Sequence, residues 1–396
     1  MPDSLTARPA VLALRNSRIR EVANAGMGRP DVLPFWFGEP DEVTPEFIRR
    51  AAADALAAGD TFYTQNLGIP ELREALAAYG SRLHRPVDVA SVAVTSSGMS
   101  ALMLATEALV GPGDRTVIVT PMWPNLVEIP RIMGAEAVTF PLRFTPQGWR
   151  LDLDGLLAAL RPGTRLLYLN SPNNPTGWTV DRASQRAILD HCRRHGIWIL
   201  ADDAYERLHY GSGGDDHGSV APSFLDLAEP EDRVVATNTF SKSWLMTGFR
   251  LGWLVAPPPL VEEIGKLIEY NTSCAPGFVQ RAGLAAVREG EPVVARTVAR
   301  FRRARDHLVQ GLNALPGVQA ALPDGAMYAF FRVDGMADSL AFCKRLVTEE
   351  GLGLAPGIAF GPEGEGFLRW CFAAEPARLD EGLARLARGL RRSARP

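Results

Sequence analysis

The chain has 396 residues, 46% hydrophobic and 22% charged, with a formal net charge of −3. That is ample for one large and one small domain and argues against a general nucleic-acid binder. Only three of the 42 basic residues are lysines, Lys242, Lys266 and Lys344, so chemistry that needs an amine in place of a guanidinium must come from one of these positions. Cys192, Cys274, Cys343 and Cys371 form no CxxC pair, the N-terminus lacks a signal-peptide pattern, and no apolar run is long enough to span a membrane. These features predict a cytoplasmic protein with no membrane association.

In chain order, Thr44-Pro45-Glu46 has the form of a helix start and Gly59 of its end. A second helix opens at Pro70, with Leu72, Leu76, Tyr79 and Leu83 on one face. Seven short apolar runs follow, at 92–95, 116–120, 135–140, 166–170, 197–201, 234–238 and 251–256. Most are continuous instead of alternating, as in strands buried on both faces of a largely parallel sheet. Helical stretches at 99–109 and 181–195 separate several of them. The expected fold class is α/β, a mostly parallel seven-stranded sheet flanked by helices.

From about Pro292 the character changes to a smaller α+β unit. An amphipathic helix bearing Val298, Phe301, Leu308 and Leu312 leads into alternating segments at 327–333, 352–355 and 367–373. The five arginines from Arg296 to Arg305 read as a solvated helix face, not a nucleic-acid patch. The stretch 211–219 reads as a flexible loop. His191, Cys192 and His195 share a helix without an HExxH glutamate, so they are expected to be structural or solvent-facing, and no metal site is predicted.

In an open parallel sheet, ligands bind beyond the carboxyl ends of the strands. Five such ends carry Ser96-Ser97-Gly98-Met99, Pro121-Met122-Trp123, Ser171-Pro172-Asn173-Asn174-Pro175-Thr176-Gly177, Asp202-Asp203-Ala204-Tyr205 and Thr239-Phe240-Ser241-Lys242. Each has a structural alternative: Ser97-Gly98 as a plain helix cap, Trp123 as core, Asn174 as a turn residue, Asp202 as a cap, Lys242 as surface. Together they offer an amine for an imine, a carboxylate for a pyridine nitrogen, an amide and a phenol for the ring oxygen, a flat aromatic, and a helix start for a phosphate. These are the needs of pyridoxal 5'-phosphate. A nicotinamide-dependent oxidoreductase finds no support, because no G-x-G-x-x-G follows the first strand and Gly361-Pro-Glu-Gly-Glu-Gly lies in the smaller unit.

The segments 171–177 and 241–253 (Ser-Lys-Ser-Trp-Leu-Met-Thr-Gly-Phe-Arg-Leu-Gly-Trp) resemble the motifs of the fold-type I, class I/II aminotransferases of the aspartate aminotransferase superfamily. The resemblance runs from about Gly38 to the C-terminus. It implies that Lys242 is the Schiff-base lysine, that Asp202 partners the pyridinium nitrogen, and that Tyr205 and Asn174 reach the ring oxygen. Trp123 would stack on the ring, and Ser97, Gly98, Met99, Thr239 and Arg250 would surround the phosphate. Arg369, in Phe-Leu-Arg-Trp-Cys-Phe-Ala, resembles the clamp for a substrate α-carboxylate, with Gly38 and Asn174 beside it. Tyr63 resembles the tyrosine that reaches the phosphate of the other subunit, which implies a homodimer with shared active sites. Asp202 is preferred to Asp203 because it stands three residues before Tyr205. The pattern departs from the family at Met99, at Met122-Trp123 and at Thr239.

The implied activity is ping-pong transfer of an amino group from an L-amino acid to a 2-oxo acid such as 2-oxoglutarate. A β-lyase using the same cofactor is the alternative, and a binding protein that merely retains the fold is a third reading. The implied division is a small domain from 1–43 and 292–396 around a large one at 44–291. Specificity is expected from 18–20, Trp36, Phe37, Ile358 and Phe360. These favour a broad or hydrophobic donor, with aspartate or glutamate next through Arg18 or Arg20.

Overall fold

The computed structural model describes residues 7–145, 147–211 and 220–393; most of the 211–219 loop lies outside the described residues. The seven apolar runs form one sheet, with boundaries within two residues of those expected. Its strands are β1 (Val92–Thr95), β2 (Arg115–Thr120), β3 (Glu136–Pro141), β4 (Thr164–Asn170), β5 (Trp198–Asp202), β6 (Val234–Thr239) and β7 (Gly252–Val255). Their spatial order is β1-β7-β6-β5-β4-β2-β3. The pairs β6–β5, β5–β4, β4–β2 and β2–β3 are parallel, whereas β7 runs antiparallel to both β1 and β6. Strands such as β6 (VVATNT) are buried along their whole length, which is why they read as continuous apolar or small-residue runs.

The flanking helices carry the signals expected of them. Helix α1 (Arg18–Gly26) begins at Ser17, α2 spans Glu46–Ala57, and α3 spans Pro70–Leu83 with proline in its first turn. Helix α4 (Gly98–Leu109) is capped by Ser97. Helix α5 (Arg182–His195) is capped by Asp181 and stops at Gly196, whose φ of 66° is left-handed. On α5, His191 Nε2 donates to Leu160 O at 2.8 Å, in line with a structural role.

The smaller unit is a four-stranded antiparallel sheet. Its strands are β8 (Val318–Ala320), β9 (Tyr328–Val333), β10 (Ala355–Pro356) and β11 (Phe367–Cys371), in the order β8-β9-β11-β10. The N-terminal end joins this unit, because Leu33–Pro34 pairs in parallel with Leu352–Gly353. The connecting helix α6 (Glu291–Asn313) differs from the expected solvated face at two arginines. Arg300 ion-pairs with Asp41, Glu42 and Glu375, and Arg305 is buried, with its guanidinium 4.7 Å from the Tyr210 ring centroid. A short hairpin, Arg143–Thr145 with Gly148–Arg150, was not anticipated. Its strands are too short to show a period.

Candidate active site

A cavity of about 400 Å³ opens at the carboxyl ends of β4, β5 and β6, between the large sheet and the β9–β11 pair. Of the residues predicted from sequence, Gly38, Gly98, Met99, Trp123, Asn174, Asp202, Tyr205, Thr239, Lys242, Arg250 and Arg369 line it. Ser97 stands just behind as the cap of α4, with Oγ accepting from Ser100 N at 3.0 Å. Tyr63 is outside the cavity of its own chain and is 88% exposed.

Lys242 sits on a short turn, Phe240–Ser243, which starts where β6 ends and is capped by Thr239. Phe240 and Trp244 pack with each other and with Trp253, and Trp244 also meets Tyr79, so the backbone on both sides of Lys242 is anchored in the core. The amine points the other way and donates to Gly38 O at 2.6 Å. Burial pulls its pKa down from 10.5 to about 8, because a low-dielectric site disfavours the charged form. Asp202, the last residue of β5, accepts from Ala204 N at 3.2 Å, and burial raises its carboxyl to about 6. Asp203 lies outside the cavity lining and accepts from Ser223 Oγ at 2.8 Å, so the two adjacent aspartates face different surroundings.

Asn174 ties the two sides of the cavity together. Its N–H donates to Asn170 Oδ1 at 2.7 Å, its Nδ2 lies 3.5 Å from Tyr205 Oη, and its Oδ1 accepts from Arg369 Nη1 at 2.9 Å. Arg369 also donates to Trp36 O. Its guanidinium carbon lies 4.5 Å from the Tyr328 ring centroid and 4.9 Å from that of Phe360. Although Arg369 is only 2% exposed, its Nε has no partner. Trp123 is half-buried at the cavity wall, with its N–H on Asn174 O at 3.0 Å.

The helix start of α4 is shaped for close approach. Ser97 adopts a φ of 128°, and a Cβ on Gly98 would come within 2.9 Å of Thr239 Cβ. Arg250, itself left-handed at φ 51°, donates to Thr247 O at 2.7 Å and reaches towards Ser241 Oγ at 3.5 Å.

Sequence reasoning missed Tyr328, the first residue of β9. Its hydroxyl is 2.7 Å from Tyr205 Oη, and a Cβ on Gly38 would collide with it. Within an apolar strand Tyr328 looked like core, and its phenol was the one polar signal. Of the residues expected to set specificity, Ile19, Arg20 and Phe37 line the cavity, with the Arg20 guanidinium 5.3 Å from the Phe37 ring centroid. Arg18, Trp36, Ile358 and Phe360 do not. Phe360 is instead packed behind Arg369, and Trp36 contributes its carbonyl.

The charges around the cavity are unbalanced. Lys242, Arg250, Arg369 and Arg20 face a single carboxylate, Asp202, and none of the four makes an ion pair among the described residues. Together with the open start of α4, this donor set suits anionic groups such as a phosphate and a carboxylate.

The family "Aminotransferase class I and II" matches residues 30–386. The aspartate aminotransferase of Pyrococcus horikoshii is 33% identical over 96% of each chain. The arginine–pyruvate transaminase of Pseudomonas aeruginosa is 32% identical over 91% of this chain and 90% of its own. The crystal structure of the Rhizobium meliloti aspartate aminotransferase superposes with a TM-score of 0.88 at 31% identity, covering 98% of this chain and 100% of that one. The chain belongs to the class I and II aminotransferase family and has the fold-type I architecture of these enzymes. It is an aminotransferase. Among the described residues no helix is long and apolar enough to cross a membrane.

Proposed function

We propose that the enzyme moves the amino group of an L-amino acid to a 2-oxo acid, 2-oxoglutarate being the acceptor expected, in two half-reactions of a ping-pong cycle dependent on pyridoxal 5'-phosphate. The observation that carries this reading is the convergence of Lys242, Asp202 and the buried, ion-pair-free Arg369 on one cavity. The residues present fit the cofactor. Ser97, Gly98, Met99, Thr239 and Arg250 would hold its phosphate at the start of α4, Trp123 would lie against its ring, Tyr205 and Asn174 would reach its ring oxygen, and Asp202 its ring nitrogen. When bound, the cofactor supplies an aldehyde that accepts the amino group and a ring that stores an electron pair.

The side chains divide the remaining work. Arg369 offers a two-pronged fork to the substrate α-carboxylate, oriented by Asn174 Oδ1 and Trp36 O. Gly38 is bare of a side chain beside it, which keeps Tyr328 in place. Lys242, whose amine titrates near 8, takes and returns the substrate Cα proton as the base. Asp202 remains charged above about pH 6 and holds the proton on the ring nitrogen. Tyr328 and Asn174 hold the Tyr205 phenol from two sides.

Arg20 at the cavity mouth favours aspartate or glutamate as donor. The hydrophobic donor expected from sequence keeps Ile19 and Phe37 in its support, but Trp36, Ile358 and Phe360 lie outside the lining. The aspartate named in the Pyrococcus horikoshii relative agrees with this. Exposed Tyr63 and its neighbour Phe62, 82% exposed, support a homodimer in which Tyr63 completes the partner's phosphate site. The pairing of Leu33–Pro34 with Leu352–Gly353 supports 1–43 and 292–396 as one small domain beside 44–291. Four free cysteines, three of them buried, suit a reducing cytoplasm.

The test is to incubate the protein with pyridoxal 5'-phosphate, reduce with borohydride and map the modified peptide, then to assay a panel of amino donors with 2-oxoglutarate. Label on Lys242 and formation of glutamate are expected. Label elsewhere, or pyruvate and ammonia released without an acceptor, overturns the reading.

A further inference from the structure

The segment Asp202–Arg207 sends its side chains in two directions. Asp202 and Tyr205 line the cavity, while Asp203, Glu206 and Arg207 point behind it into a buried polar network. His84 is the hub of that network. Its side chain is 2% exposed, with Nδ1 2.7 Å from Asp226 Oδ1 and Nε2 3.1 Å from Glu206 Oε2. Both ring nitrogens face carboxylate oxygens, which only accept, so both must donate, and the ring is an imidazolium.

Burial alone would lower its pKa, but the hydrogen bonds and the charges of the two carboxylates together outweigh burial and raise it to about 10. His84 follows the last residue of α3, and its N–H closes on Gly80 O at 2.8 Å. A cation there is also favoured by the negative end of the helix dipole. The network extends to the strand end. Asp226 accepts from Arg182 Nη2 and Ser223 N, both at 3.0 Å, and Ser223 Oγ donates to Asp203 Oδ2 at 2.8 Å. Glu206 and Asp203, which flank the Ala204–Tyr205 turn, are thus both tied to one cation that touches nothing in the cavity.

We propose that His84 is a positioning residue for transamination: as a buried imidazolium it clamps Glu206 directly and Asp203 through Asp226 and Ser223, fixing from behind the turn that presents Asp202 and Tyr205. The inference rests on the roles of Asp202 and Tyr205 in the proposed function. A neutral side chain at 84 leaves Glu206 and Asp226 without their shared counter-charge, and the two carboxylates repel. The turn that joins Asp202 to Tyr205 then loses its fixed geometry while the substrate clamp at Arg369, on a different strand, is untouched.

The test uses H84Q and, as a second variant should H84Q fail to fold, D226N, which leaves the histidine Glu206 as its one carboxylate partner. Both are assayed as holoenzyme at a temperature well below their unfolding transitions. The expected result is a fall in kcat of about tenfold or more with the amino-donor KM within about twofold of wild type. A shift in the absorption maximum of the bound cofactor and a weaker cofactor dissociation constant should accompany it. Unchanged kcat and spectrum with only a lower Tm show a purely structural role and overturn the inference. So does a rise in KM at unchanged kcat. If the wild-type protein itself takes up no cofactor, it is the proposed function that fails, which separates the two outcomes.

Discussion

Lys242 gives a stability prediction that requires no cofactor. In the cofactor-free protein the fall of its pKa from 10.5 to about 8 corresponds to about 3 kcal/mol against keeping the ammonium at neutral pH. Lys242→Met keeps an unbranched side chain one atom shorter and removes the charge. It also removes the hydrogen bond to Gly38 O, which gives back about 1 kcal/mol. The cofactor-free variant should therefore be more stable than wild type by about 2 kcal/mol at pH 7. The sign follows from proton counts. Between about pH 8 and 10.5 the unfolded lysine binds a proton that the folded one has released, so wild-type stability rises with pH across that window. The variant lacks this rise of about 3 kcal/mol, so its advantage should vanish before pH 10.5 and give way to a deficit of about 1 kcal/mol, the lost hydrogen bond. Urea unfolding of both cofactor-free proteins, followed by tryptophan fluorescence at one fixed protein concentration, measures the difference at pH 7 and pH 10. Equal stability at pH 7, or an advantage independent of pH, refutes the argument that burial controls this amine.

Two further outcomes test the rest of the site. Arg369→Lys replaces a fork with a point charge, so the amino-donor KM should rise by about ten- to a hundredfold, and an unchanged KM in steady-state assays removes Arg369 from carboxylate binding. Mixing Lys242→Ala with Tyr63→Ala under subunit exchange should restore activity at limiting cofactor to about a quarter of wild type, because half the dimers are mixed and each of these carries one intact site. Activity no higher than the mean of the two parents shows that Tyr63 does not act across the dimer.

The large sheet was legible in the sequence because strands buried on both faces must be apolar throughout, and turns or helix caps must interrupt them. The same logic located most of the site: in an open sheet of parallel strands, whatever follows the carboxyl ends is brought together. Lys242, Asp202 and Asn174 each sit within a few residues of a strand end, so their convergence needed no knowledge of tertiary contacts. The antiparallel β7 was invisible to this reasoning, since a buried strand reads the same in either direction. The arginines of α6 misled it, because periodicity shows which face is polar but not that Arg300 has three carboxylates waiting at positions 41, 42 and 375.

What stayed hidden depends on contacts between distant parts of the chain. Tyr328 meets Tyr205 across 123 positions, and Arg369 meets the carbonyl of Trp36 across 333. No local pattern announces either. The distinction has a chemical consequence for the site's cations. As the proposed base, Lys242 must lose its proton, and burial at the cavity wall brings its amine to about 8, within reach of neutral pH. A guanidinium in the same place would stay charged. Arg369 is only 2% exposed, and the carboxylate clamp proposed for it calls for the planar fork of a guanidinium. Asn174 and Trp36 occupy two of its donors with neutral acceptors, leaving Nε unpartnered. The scarcity of lysine and the abundance of arginine in this chain leave the choice at these two positions unforced by composition. The proposed chemistry needs at Lys242 a cation that can be neutralised, and at Arg369 a guanidinium fork.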